Sequence, residues 1–174
     1  AQTSTSGDET RPATNTIYGD TGLWFLSTGE ILSDRSVSAS VYRLDFDREQ
    51  GFTDISQFLA SVGVGLGDRV EVFGSMRVVT RIDRDIRPLF TNDARAGGIA
   101  QDFPFVSQPW IGNQVGDTYL GAKVNLLSEH RQQPFAFAIR GMVKAPTGDK
   151  DSGASTGEPD FHLDAIFSKE LQGR

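Results

Sequence analysis

Cysteine is absent from this sequence, which excludes a disulfide framework, a thiol nucleophile and a thiolate metal site. Such an absence is common in bacterial envelope proteins that pass through an oxidising periplasm. Histidine is almost absent too. His130 sits in the polar stretch SEHRQ and reads as part of a solvated turn, and His162 falls on the polar side of a strand. There is no G-x-S-x-G, H-E-x-x-H or G-x-G-x-x-G pattern and no phosphate-binding loop, so the chain reads as a non-enzyme that needs no cofactor. Positive charge is in deficit: the formal net charge is −6 and the sequence pI about 4.9, which argues against nucleic acid as a partner. No apolar run approaches the roughly 20 residues of a membrane-spanning helix. A membrane strand is a different matter, since it needs only about 10 residues with one apolar face.

What is there is alternation. Residues 1–15 are rich in Thr, Ser, Asp and Pro and read as a flexible N-terminal arm with little to bury. Residues 16–174 read as one antiparallel β domain, its C-terminal side incomplete if further strands follow. Candidate strands are 22–27, 37–46, 58–66, 69–82, 117–127, 135–144 and 161–169, most of them with period two. The one helical suggestion is TDISQFLA, where Thr53 or Asp54 would cap a short turn. Gly67-Asp68 suits a two-residue hairpin turn, and LSEHRQQP is also short. In contrast, 83–116 and 146–160 are long and rich in Gly, Asp and Pro. Short turns at one end and long loops at the other is the construction of bacterial outer-membrane barrels.

In VEVFGSMRVVTRI the even positions are Val70, Val72, Gly74, Met76, Val78, Thr80 and Ile82, and the odd ones include Glu71, Arg77 and Arg81. The next strands repeat the division. Leu120, Ala122, Val124 and Leu126 oppose Lys123. Phe135, Phe137, Ile139, Gly141 and Val143 oppose Arg140 and Lys144. Phe161, Leu163, Ala165 and Phe167 oppose His162 and Asp164. Strand 37–46 changes phase near Val41-Tyr42, which suggests a bulge or an interfacial end. A soluble β-sandwich would also alternate. Small residues among the apolar positions (Gly74, Ala122, Gly141, Ala165) favour lipid instead, because a sandwich core needs bulk at nearly every inward position. Trp24, Phe25, Tyr42, Phe46, Phe58, Phe135, Phe161 and Phe167 lie near strand ends, where interfacial girdles would sit, although ordinary β-propensity also places aromatics there.

The segments GLGDRVEVFGSMRVVTRID, GDTYLGAKVNLL, FAIRGMVKAPTGD and STGEPDFHLDAIFSKEL are more specific than their periodicity. Together they resemble an outer-membrane β-barrel family of the phenol meta-pathway transporter, or OmpA-like barrel, type. The shared features are a GLxDRxE hairpin, a GDxxxGxK strand start, a KxPTG strand end and a nearby GxxD strand, spread over roughly 20–170. The resemblance implies an antiparallel up-and-down transmembrane β-barrel, or its N-terminal part, in the cell outer membrane. It also implies a passive pore or uptake role for small solutes. Family members carry further strands after the segment matched by SKEL, and single-chain barrels have even strand counts. The expected partners are therefore the lipid bilayer and a second chain, or further C-terminal strands, covering the open edges.

The residues expected to face the lumen are Glu71, Arg77, Arg81, Lys123, Arg140, Lys144 and Asp164. In a wide barrel they would set a charge preference slightly towards anions; in a narrow one they would pair and fill the interior. Phe90, Phe103, Phe105 and Trp110 give the long loop an aromatic cluster able to bind a partner, to form a constriction, or to pack on itself. Binding of a partner through this loop supports a second reading, a structural or interaction module of the cell envelope. Asp149, Asp151 and Asp160 have partial EF-hand spacing, but the central glycine and the final Glu are missing. A solvated acidic loop without metal is the expectation there.

Overall fold

The computed structural model describes residues 14–48, 53–84, 111–150 and 153–170. Among them there is no α-helix. A small hairpin pairs Gly22–Leu23 (β1) with Leu26–Ser27 (β2). The main sheet contains Val37–Arg48 (β3), Thr53–Leu66 (β4), Val70–Arg84 (β5), Ile111–Gln114 (β6), Thr118–Leu127 (β7), Ala136–Ala145 (β8) and Asp160–Ser168 (β9). Its order is β3-β4-β5-β7-β8-β9, with β6 also pairing with β5. Every pairing is antiparallel and follows chain order, so the all-β, up-and-down arrangement expected from the alternation is present. The sheet is open: among the described residues β3 and β9 each pair along one edge only.

Several local expectations change. TDISQFLA belongs to β4, because backbone ladders to β3 on one edge and β5 on the other outweigh one weak cap signal. The stretch 22–27 is a hairpin and not a single strand. The β4–β5 turn takes three residues, Gly67–Arg69, with Gly67 at φ +60°. No register shift occurs in β3. The shifts lie elsewhere. Val78 is the extra residue between the pairs Phe58–Val79 and Leu59–Arg77, and Leu126 is extra between Asn125–Ala138 and Leu127–Phe137. A bulge inverts the facing of everything beyond it. After Val78 it is Thr80 that is buried and Arg81 that is exposed.

The two faces of the sheet differ in a way opposite to an ordinary soluble domain. Outward stand Val41, Val62, Val72, Met76, Leu120, Val124, Ile139, Phe161, Leu163 and Phe167, all exposed, with Phe161 and Leu163 at 81%. Inward stand Ser61, Glu71, Ser75, Lys123, Asn125 and Lys144, all buried. What covers the inner face is the chain's own segment 14–33. Asn15, the last residue of the expected flexible arm, is already buried and donates from Nδ2 to the Ser38 carbonyl at 3.1 Å, so the ordered part of the chain begins inside that arm. Among the described residues two small apolar clusters form, Ile17 with Leu44 and Leu59, and Phe73 with Tyr119 and Met142, and Tyr18 packs against both. Residues 1–13, expected to form most of the arm, lie outside the described residues.

Glycine makes this close approach possible. A Cβ built on Gly63 would stand 2.4 Å from the Gly19 carbonyl oxygen and 3.0 Å from Glu71 Oε1. A Cβ on Gly141, which faces outward, meets nothing within 4 Å. Gly63→Ala should therefore push segment 14–33 off β4 and cost about 1–3 kcal/mol, the range for overpacking. Gly141→Ala should stay within about 0.5 kcal/mol. Denaturant midpoints of the two variants, measured side by side, test the difference.

The two short turns lie at one end, since Arg131 Nη1 donates to the Asp68 carbonyl at 2.8 Å. There Glu129 accepts from the Glu170 amide at 2.7 Å and from Lys169 Nζ at 3.0 Å. These two bonds, the amide first, hold its carboxyl below the usual carboxylate range. A lowered folded value means the contact stabilises above the ordinary Glu pKa and is lost as pH falls through the lowered one. Titration of the Glu170 amide shift by NMR should show that low midpoint, and Glu129→Gln should abolish it.

Candidate functional site

The inner face carries a buried ionic cluster built from both the sheet and segment 14–33. Lys123, inward on β7, stands directly beside Glu71 of β5 through the cross-strand register. Its Nζ is 3.4 Å from Glu71 Oε2 and 3.2 Å from Asp20 Oδ2, and all three side chains are fully buried. The ammonium also donates to the carbonyls of Thr21 at 2.8 Å and Thr28 at 3.3 Å. Glu71 Oε1 accepts from the Thr21 amide at 2.9 Å and its hydroxyl at 3.0 Å. Glu71 Oε2 makes no hydrogen bond, so its pairing with Lys123 is Coulombic only. Asp20 Oδ1 accepts from the Thr16 hydroxyl at 2.5 Å.

Arg140 extends the cluster across β8. It bonds Asp164 Oδ2 through Nε at 2.9 Å and Nη2 at 2.8 Å, stands 3.2 Å from Asp20 Oδ1, and also donates to Ser27 Oγ. Its guanidinium carbon lies 5.9 Å from the Tyr18 ring centre. Three carboxylates thus meet two cations. Asn125 ties the same segment down by donating to the Gly29 carbonyl at 2.5 Å, and the Gly29 amide donates to Ser168 Oγ at 2.9 Å. Glu71, Lys123, Arg140 and Asn125 are all engaged in holding segment 14–33. Such a network fixes a geometry.

The remaining expected residues divide. Lys144 is buried, bonded to Thr156 Oγ1 at 2.7 Å, paired with Asp160, and 3.8 Å from Asp117. Arg77 donates through Nη2 to the Tyr119 hydroxyl at 3.0 Å, with its guanidinium carbon 5.4 Å from that ring. Arg81, expected in the lumen, is on the exposed side, because the Val78 bulge inverts the strand's facing. Glu71, Lys123, Arg140 and Asp164 therefore come together, and Arg77, Lys144 and Arg81 do not join them. Asp160 is engaged by Lys144, Asp149 is exposed, and Asp151 lies outside the described residues, as do Phe90, Phe103, Phe105 and Trp110. Of the aromatic residues expected at interfaces, Tyr42 points inward and bonds the Asn15 carbonyl, and Trp24 and Phe25 stand on the β1–β2 hairpin. Phe46, Phe58, Phe161 and Phe167 are exposed on the sheet, with Phe135 packed on Phe167 at 4.8 Å.

Sequence reasoning missed Asp20, Thr21 and Asn125. The signal available was weak: Asp20 lies in TIYGDTG, a polar stretch that composition alone gives to a turn.

Among known proteins, a family model described as "Putative MetA-pathway of phenol degradation" matches residues 34–172. No curated protein and no solved structure matches. The matched span covers the main sheet and begins just after the segment that fills its inner face.

Proposed function

The chain belongs to this phenol-degradation family, and on that premise we propose that its sheet is wall of an outer-membrane β-barrel with a passive pore or uptake role for small solutes. The observation that carries the reading is the reversed polarity of the sheet, apolar and exposed outside, polar and buried inside. In water an uncovered apolar face of this extent would be an aggregation hazard; against hydrocarbon it is the stable arrangement. Strand lengths agree. β7 and β8 have 10 residues each and β9 has 9, close to the roughly 9–11 a tilted membrane strand requires. The longer β3, β4 and β5 reach past the belt at the long-loop end, where Arg43, Asp45 and Arg81 stand exposed. The open edges of β3 and β9 need covering by further strands or a second chain, since a sheet edge left unpaired in lipid strands backbone groups without partners.

Purification with and without detergent tests the reading. A chain that stays monodisperse only in detergent, and migrates differently on a gel before and after heating, supports the barrel. A clean monomer in plain buffer would sink it.

A second reading, an envelope anchor or interaction module, is favoured by one observation: segment 14–33 fills the inner face of the described sheet. Solute flux into vesicles separates the two, because an anchor without a passage gives none.

A further inference from the structure

One inward cation stands apart from the cluster that holds segment 14–33. Lys123 and Arg140 pair with Asp20, Glu71 and Asp164, and Lys144 pairs with Asp117 and Asp160. Arg77 pairs with no carboxylate among the described residues; its partner is the Tyr119 hydroxyl, which accepts from Nη2 at 3.0 Å. The Arg77 Nε–H is buried and makes no hydrogen bond, and neither does the Ser75 hydroxyl two residues before it. Ser75 as a whole is only 5% exposed. Buried donors left in this state cost free energy, so two of them on one stretch of strand call for an explanation.

The register gathers these groups. Ser75 and Arg77 are two apart on β5 and share its inward side, and Ser75 lies directly across from Tyr119 of β7. Tyr119 is buried, with the Arg77 guanidinium carbon 5.4 Å from its ring centre and the Tyr18 ring 5.1 Å away. The stem of Arg77 is held by Gly116, where an added Cβ would stand 2.7 Å from its Cβ and 3.0 Å from its Cδ. The Tyr119 oxygen accepts from Arg77, so its own proton is left to donate, and among the described residues no acceptor takes it. Thr80 Oγ1 is also unpartnered but lies past the Val78 bulge, so the site is drawn from Ser75, Arg77 and Tyr119 alone. Three donors, Arg77 Nε–H, Ser75 O–H and Tyr119 O–H, thus surround one uncompensated positive charge. A guanidinium can only donate, so the matching group is an acceptor with negative charge. A carboxylate matches it in plane and spacing, and charge-assisted bonds of this kind are about twice as strong as neutral ones.

We propose that Ser75, Arg77 and Tyr119 form a binding site for the carboxylate group of a small organic acid on the inner face of the sheet. The site needs neither a passage nor lipid outside, so its test is separate from that of the barrel reading. The probes are acetate and its neutral isostere acetamide, titrated into the chain with isotope-labelled arginine, in detergent or in plain buffer if the chain is soluble there. The Arg77 Nε–H signal in NMR, identified by its loss in Arg77→Lys, should shift saturably with acetate. Acetamide should bind at least about tenfold more weakly, because it lacks the charge. The Arg140 Nε–H, which donates to Asp164 at 2.9 Å, should stay in place in both titrations and in every variant, which reports an intact inner face. Ser75→Ala deletes a hydroxyl that has no partner, so the fold should persist while acetate affinity falls about tenfold, the effect of losing one bond to a charged group. Tyr119→Phe should weaken acetate by a similar factor. An Arg77 signal that ignores acetate overturns the proposal, since the guanidinium is then satisfied within the chain or closed to solutes. So does an equal response to acetate, acetamide and chloride, and so does parental acetate affinity in both Ser75→Ala and Tyr119→Phe.

Discussion

Lys123→Met should cost about 3–5 kcal/mol, the largest loss expected from a single change in this chain, because it strands buried carboxylates without their cation. The ammonium is shared by Asp20 and Glu71 and caps the carbonyls of Thr21 and Thr28. Arg140 remains beside Asp20, so Glu71 is the group left worst off. Adding Glu71→Gln to Lys123→Met should recover part of the loss, since the neutral amide keeps its bonds to Thr21 and removes the stranded charge. Denaturant unfolding of the parent, the single variant and the double variant in the same detergent measures both effects. Equal stability of parent and Lys123→Met would show that segment 14–33 is not held to the sheet by this cluster.

The second large effect concerns the other face. Val124 sits mid-strand on β7, exposed, opposite Val70 on one side and Ile139 on the other. If that face meets hydrocarbon, Val124→Arg places a cation near the bilayer midplane and should cost about 2–4 kcal/mol of folding in lipid. If it meets water, the same substitution on an exposed strand stays within about 0.5 kcal/mol. Arg43 and Asp45 already occupy outward positions on β3 towards the long-loop end, so charge added there should be tolerated under either reading. Folding yield into vesicles for Val124→Arg, compared with a charge added beside Arg43, measures the depth dependence. A Val124→Arg chain that folds as well as its parent would remove lipid from the outer face.

Both effects follow from the sheet's reversed polarity, and half of that was legible in the alternation. Period two separates Leu120, Ala122, Val124 and Leu126 from Lys123 and Asn125 with no knowledge of neighbours, because a strand's side chains alternate by geometry alone. The antiparallel neighbour order follows from short turns such as 67–69, and the family resemblance from motifs local to single hairpins. Where the sequence misled, the cause was also local. The alternation continues unbroken on paper through Val78, but one extra residue there moves Arg81 to the outer side.

What filled the inner face was decided only by tertiary structure. Thr21 meets Glu71 across 50 positions, and Lys123 meets Thr21 across 102. No window of sequence contains both partners, and TIYGDTGLWFLSTG carries no period that marks it as an insertion. The sequence by itself determined which residues face which way within each strand. Only the fold decided that Glu71 and Lys123 would be buried beneath the chain's own segment, because that contact is the sum of glycine-thin backbone, buried ion pairs and carbonyl bonds between parts of the chain that meet only after the sheet has formed.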